Sequence, residues 1–85
     1  MTWHVYIIEC SDGSFYTGIT NDLDKRITAH NAGCAAKYTA SRRPVRLRYI
    51  EPVLDRSQAS QREYAIKSLS KSAKQELITT RMAER

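Results

Sequence analysis

From Trp3 to Asn31 the chain reads WHVYIIECSDGSFYTGITNDLDKRITAHN, and no other stretch constrains the fold as tightly. Trp3, Val5 and Ile7 alternate with His4, Tyr6 and Ile8, the period-two pattern of a strand. Ser11, Asp12, Gly13 and Ser14 form a turn cluster, and Phe15 to Ile19 is a second run of β-prone residues. A β-hairpin is therefore expected, with Tyr6 and Tyr16 near each other on one face. A helix should follow at once, with Asn21 as N-cap and Asp24 as its short capping-box partner. Leu23, Arg26, Ile27 and His30 recur at i, i+3, i+4 and i+7, so they share one stripe. That stripe is expected to face the sheet, although it carries an arginine and a histidine. Ala32-Gly33 supplies a helix stop.

The remainder of the chain follows a coarser pattern. Residues 34–44, CAAKYTASRRP, read as a loop of small and polar residues. Val45 to Ile50 reads as a third strand, with Val45, Leu47 and Tyr49 on one face and Arg46, Arg48 and Ile50 on the other. Glu51-Pro52 is expected to end it. A second helix, capped by Ser57, is expected to carry Ala59, Arg62, Glu63, Ile66 and Leu69 at helical spacing. Ser70 restarts the pattern for a short third helix holding Leu77 and Ile78, and the chain is expected to fray after Thr79. Eighty-five residues allow one small domain. The expected organisation is a single domain over residues 1–80 and a short tail over residues 81–85.

Charge and composition narrow the partners. The formal net charge is +5, unevenly spread: residues 1–33 hold two Lys/Arg against four Asp/Glu, whereas residues 34–85 hold twelve against five. Lys37, Arg42, Arg43, Arg46 and Arg48 follow one another with no intervening acid, and Tyr38 and Tyr49 flank the arginines. Cations can bind phosphates and aromatics can stack on bases, so nucleic acid is the expected partner. The alternatives are a solvated basic face or an edge strand guarded by charge. No apolar run approaches the ~20 residues of a membrane span, and no basic segment leads into an apolar one at the start, so a cytoplasmic location without membrane partners is expected. Cys10 and Cys34 have no zinc-ligand spacing.

Two tyrosines, an arginine, a histidine and one carboxylate suit few reactions. No Ser-His-Asp arrangement and no glycine-rich phosphate loop is visible. Phosphodiester cleavage fits better. It needs a base or positioner for water, a cation to stabilise the phosphorane charge, and often a divalent metal at the leaving oxygen. A tyrosine can act as base only if nearby cations lower its pKa from about 10. Arg26 and His30 could supply those cations, and Glu63 could hold one Mg²⁺ with waters and phosphate oxygens. On a helix surface, Glu63 could equally pair with Lys67 at i,i+4.

These residues carry a resemblance. The sequence resembles the GIY-YIG nuclease superfamily, and closely its small stand-alone bacterial group, the YhbQ-like proteins. Val5-Tyr6-Ile7 after His4 stands where that family has Gly-Ile-Tyr, and Tyr16-Thr17-Gly18 where it has Tyr-Ile-Gly. Leu23 to His30 is similar to the family's arginine helix, and Ala36-Lys37-Tyr38-Thr39 and Arg62 to Lys67 are similar to stretches of the stand-alone group. The resemblance implies an α+β domain, a three-stranded antiparallel sheet flanked by about three helices, in agreement with the pattern above. It implies a divalent-metal-dependent nuclease acting on DNA rather than RNA, with DNA repair or processing as its setting. It implies Tyr6, Tyr16, Arg26, His30 and Glu63 as catalytic residues. Tyr16 would be the base or water-positioner, Arg26 the phosphate stabiliser, and His30 an aid at the phosphate or in proton transfer. Glu63 would be the sole protein ligand of Mg²⁺ or Mn²⁺. Gly18 matches the glycine that allows close approach at the strand end. The family pattern is not followed at His4-Val5, in place of Gly-Ile, or at Thr17, in place of Ile; both changes are conservative for a strand. At Ile19 some repair nucleases carry a lysine, so one phosphate contact is missing. The alternative is a non-catalytic nucleic-acid-binding module on the same fold.

Overall fold

The computed structural model describes residues 2–83. Strands β1 (Trp3–Glu9) and β2 (Phe15–Thr20) form the expected hairpin. Its tip closes through Cys10 N–H to Ser14 O (2.8 Å) and Gly13 N–H to Cys10 O (3.0 Å). Gly13 has φ +85°, a conformation that side chains with a Cβ resist. Asp12 Oδ1 accepts the Ser14 N–H at 3.0 Å, an Asx turn that fixes the same corner.

Strand β3 (Arg46–Val53) pairs with the other edge of β1, so the antiparallel sheet runs β2-β1-β3. Both faces of β1 are covered: Val5, Tyr6, Ile7 and Ile8 are each at most 2% exposed. Helix α1 (Leu23–Asn31) and the one-turn helix α2 (Lys37–Ala40) lie on one side of the sheet. There Tyr6, Ile8, Cys10 and Val45 pack with Leu23 and Ile27. Helices α3 (Arg56–Lys67) and α4 (Lys71–Ala83) lie on the other side, where Val5, Ile7 and Tyr49 pack with Ala59, Ile66 and Ile78. Among the described residues there are thus four helices, and the extra one, α2, occupies the expected loop.

Several local expectations are corrected. Asp22, not Asn21, caps α1, its Oδ1 accepting Lys25 N–H at 3.2 Å. Asp55, not Ser57, caps α3, its Oδ1 accepting Gln58 N–H at 2.9 Å. In both cases a short carboxylate arm reaches the backbone N–H three residues on, one of the donors the first helical turn leaves free. Strand β3 continues through Glu51-Pro52, because it is an edge strand and proline's missing N–H breaks no ladder bond there. Val45, Leu47 and Tyr49 do not share a face. Ile7 pairs with Tyr49 but Ile8 pairs with Leu47, so Arg48 is an extra residue that reverses the alternation. Val45 and Leu47 face α1, and Tyr49 faces α3. Helix α4 runs on past Thr79 to Ala83; residues 84–85 of the expected tail lie outside the described residues. The α1 stop is a Schellman turn, with Cys34 N–H on Ala29 O (2.9 Å), Gly33 N–H on His30 O (3.1 Å) and Gly33 at φ +81°.

One network orients α3. Arg62 donates to both oxygens of Glu51 on β3, Nε–H at 2.5 Å and Nη2–H at 2.8 Å. Tyr49 O–H donates to the same carboxylate at 2.6 Å. The Arg62 hydrogen bonds hold the Glu51 carboxyl below the usual carboxylate range, while burial and Glu51 push the Tyr49 hydroxyl up. With Arg62 fixed toward β3, its neighbour Glu63 is turned around the helix toward the β1–β2 side.

Candidate active site

The site begins with a close approach in the hairpin. Tyr6 on β1 stands opposite Gly18 on β2, and its ring lies across the glycine. A Cβ at position 18 would sit 2.6 Å from Tyr6 Cζ and closer still to the hydroxyl, so only glycine leaves the ring room. The phenol is thereby aimed at α1, where Tyr6 Oη is 2.8 Å from His30 Nε2. His30 Nδ1 in turn lies 2.8 Å from Thr39 Oγ1 on α2.

The direction of this chain follows from its last member. Thr39 Oγ1 donates its proton to Ala36 O at 3.2 Å, so it receives a hydrogen bond from His30 Nδ1–H. The histidine is then the Nδ1–H tautomer, and its Nε2 lone pair accepts the Tyr6 proton. His30 and Thr39 are 1% and 0% exposed, so neither bond competes with water. Burial, and secondarily Arg26, hold the His30 pKa below its ordinary value, which favours this neutral form. Burial pushes the Tyr6 hydroxyl well above its usual pKa; Tyr16 and Glu63 add to this and Arg26 opposes it. Tyr6 is a hydrogen-bond donor here and not a base.

Tyr16 is half-buried beside this chain, its ring edge-on to His30 at 5.3 Å. Its outer side stacks on Tyr38 at 6.0 Å, and the Arg42 guanidinium lies 4.0 Å over Tyr38. Lys67 Nζ approaches the Tyr16 ring at 6.0 Å from α3. The Tyr16 hydroxyl has no protein hydrogen-bond partner among the described residues.

Arg26 corrects the expected inward stripe. Of the two basic residues only His30 is buried; Arg26, one turn earlier, is exposed. It lines a cleft of about 340 Å³ with Thr20 and Lys25, and among the described residues it pairs with no carboxylate. Its charge nevertheless acts on both Tyr6 and His30. Glu63 is half-buried on α3, close enough for its charge to act on Tyr6, and forms the i,i+4 pair with Lys67 at 3.4 Å. No group of three or more His, Cys, Asp or Glu residues able to hold a metal occurs among the described residues.

The basic segment is more occupied than its sequence suggests. Arg42 pairs with Asp12 at 3.0 Å and donates to Tyr38 O at 2.8 Å. Arg43 donates to Ala40 O at 2.9 Å and Asn31 O at 3.5 Å. Arg46 and Arg48 converge on Glu9. Lys37 is exposed on α2. Of this set, Tyr38 and Arg42 reach the Tyr16–His30 cluster through stacking. Thr39 was not singled out by sequence reasoning. It lies in the Ala36–Thr39 stretch, but nothing in a polar run announces that one hydroxyl is fully buried against a histidine nine positions earlier.

A profile of the GIY-YIG catalytic domain matches residues 2–76. The chain belongs to the GIY-YIG family. A UPF0213 protein of Desulfotalea psychrophila is 56% identical over 77 residues, covering 89% of this chain and 70% of that one. A UPF0213 protein of Halobacterium salinarum is 54% identical over 75 residues, covering 88% and 97%. The solution NMR structure of a UPF0213 protein from Bacillus halodurans aligns with TM-score 0.61 and 44% identity, covering 94% of this chain and 85% of that one. A second NMR structure, of a protein from E. faecalis, gives 0.64 and 41%, covering 96% and 88%. The GIY-YIG fold that the motif resemblance implied is therefore the one observed. No helix among the described residues is long and apolar enough to cross a membrane.

Proposed function

We propose that this GIY-YIG domain binds DNA and hydrolyses its phosphodiester bonds with one divalent ion, Mg²⁺ or Mn²⁺, in the cytoplasm, in DNA repair or processing. One observation carries the reading: among the described residues the Tyr16 hydroxyl is unbonded and its ring stands beside the Tyr6–His30–Thr39 chain, on which the exposed Arg26 charge acts. Tyr16 positions the attacking water or, in its phenolate form, takes its proton. Tyr6, buried and with its own proton directed to His30 Nε2, is a positioning residue that fixes His30 beside Tyr16. Arg26 stabilises the charge that develops on the phosphate. His30 keeps Tyr6 in one orientation through Nε2 and is itself held by Thr39 through Nδ1.

A single carboxylate fits Mg²⁺ or Mn²⁺, because a hard cation that retains most of its waters needs only one or two protein oxygens. Glu63 would be that oxygen donor, and the ion would supply charge neutralisation at the phosphate. The half-exposed Lys67 ammonium 3.4 Å away would have to turn aside. That existing pair favours a second reading, a nucleic-acid-binding module without catalysis. The test is a panel of labelled DNA and RNA structures incubated with wild type and Tyr16→Phe, with and without Mg²⁺ or Mn²⁺. Metal-dependent cleavage by wild type alone supports the nuclease. Binding with no cleavage under any condition supports the module.

A further inference from the structure

Two lysines outside the arginine segment, Lys67 and Lys71, meet along the open edge of β2, and Lys74 follows Lys71 one turn along the next helix. Lys67 ends α3, and Lys71 and Lys74 lie in the first turn of α4, just beyond a three-residue link. Lys67 Nζ lies 6.0 Å from the Tyr16 ring, and Lys71 Nζ lies 5.9 Å from the ring of the adjacent Phe15. Lys71 Nζ also lies 3.9 Å from where a Cβ on Gly13 would stand, at the hairpin tip. Tyr16 and Phe15 point to opposite faces of the sheet, so the two ammonium groups straddle its edge. Lys74 is half-buried, and burial together with the Lys67 charge pulls its pKa down. Lys71 and Lys74 have no carboxylate partner among the described residues. The acids nearest this edge are already engaged: Glu63 with Lys67, and Asp12 with Arg42.

We infer that Lys67, Lys71 and Lys74 form a phosphate-binding rim that holds the backbone of a nucleic-acid strand along the β2 edge as it leads to Tyr16. The inference rests on the nucleic-acid reading above and changes where the contacts fall. The arginines of residues 42–48 each satisfy internal acceptors, whereas Lys71 and Lys74 have no carboxylate partner among the described residues and only Lys67 is paired, with Glu63. Gathered cations repel one another, and a string of phosphates relieves that repulsion while releasing its own counterions. Lysine suits this role, because a flexible point charge tracks a backbone without demanding a fixed geometry.

The test measures affinity for a short labelled DNA duplex across a range of KCl concentrations, in EDTA so that no cleavage occurs. Wild type is compared with Lys71→Gln/Lys74→Gln and with Lys71→Arg/Lys74→Arg, each checked for folding by circular dichroism. The glutamine pair is expected to lower the log–log salt slope by about 1.8, at ~0.9 for each phosphate that is no longer neutralised. The arginine pair keeps the charge and is expected to keep the slope. A wild-type slope in the glutamine pair overturns the rim. So does an equal loss in the arginine pair, which would mark the effect as packing. Failure of wild type to cleave DNA with Mg²⁺ or Mn²⁺ would sink the nuclease reading alone, since the slope is measured without metal.

Discussion

Tyr6 Oη and His30 Nε2, twenty-four residues apart in the chain, meet at 2.8 Å in the buried layer between β1 and α1. The bond exists in this direction only while Thr39 accepts the proton on His30 Nδ1. Thr39→Val keeps the shape and removes that acceptor. The buried His30 Nδ1–H would then be left unpaired. Stability should fall by about 1–3 kcal/mol in denaturant unfolding. Thr39→Ser, which restores the hydroxyl, should recover most of it. A valine variant as stable as wild type would remove Thr39 from the chain.

The same histidine sets a pH dependence. Its folded pKa lies below the ordinary 6.5. The unfolded chain therefore binds the proton first as pH falls. The His30 contribution is fully present above pH 6.5 and is lost as pH drops from there to the depressed folded value. Unfolding free energy should decline across that window in wild type and decline less in His30→Gln. Parallel curves for the two proteins would count against a buried neutral histidine.

Gly18→Ala tests the close approach. The backbone at position 18 does not require glycine, but the Tyr6 ring occupies the space of a Cβ, with Cζ at 2.6 Å. Inserting a methyl group there should push the ring off His30 and cost about 1–3 kcal/mol, as overpacking does elsewhere. Urea unfolding should show the loss, and the rate of DNA cleavage should fall with it.

Tyr16→Phe removes a hydroxyl that no protein group among the described residues uses, so folding should be unchanged. If that hydroxyl handles the water, cleavage should slow by about 10²–10⁴. Arg26→Ala should slow it by about 10²–10³ through lost charge stabilisation. In the double variant the losses should not multiply, because the two groups act on one phosphate. Single-turnover rates on saturating DNA would read this out, and a Tyr16→Phe rate equal to wild type would exclude the base assignment.

Glu63→Gln keeps the size of the side chain and removes its charge. The partly exposed pair with Lys67 should contribute only about 0.3–0.5 kcal/mol, so stability should change little. Cleavage should disappear at every Mg²⁺ or Mn²⁺ concentration, while binding of DNA in EDTA persists. Retained cleavage would place the metal elsewhere.

Much of this arrangement was legible in the sequence. Period-two alternation in Trp3–Ile8 and the Asp12-Gly13 corner specify a hairpin because side chains alternate across a pleat and only a few residues tolerate the turn. Gly33 marks the end of α1 for the same local reason. Leu23, Ile27 and His30 do face the sheet, but Arg26 does not: a stripe drawn from periodicity is about 100° wide, and its margin is free to turn a charge to water. The ordered motifs identified the family because each residue type sits at a fixed sequence distance from the next.

The remaining features depend on contacts between distant segments, which local propensity does not encode. Arg48 is an extra residue in β3 only relative to its partner β1, so the bulge that separates Tyr49 from Leu47 is a property of the pair. Arg42, Arg46 and Arg48 look free in sequence and are engaged in the fold, because Asp12 and Glu9 on the hairpin come to them from about thirty residues away or more. Thr39 becomes the acceptor for His30 only when α2 closes over α1. The chain by itself determined which side chains could form a site. The tertiary structure decided where their protons and charges lie, because burial and long-range hydrogen bonds set those only after the layers have packed.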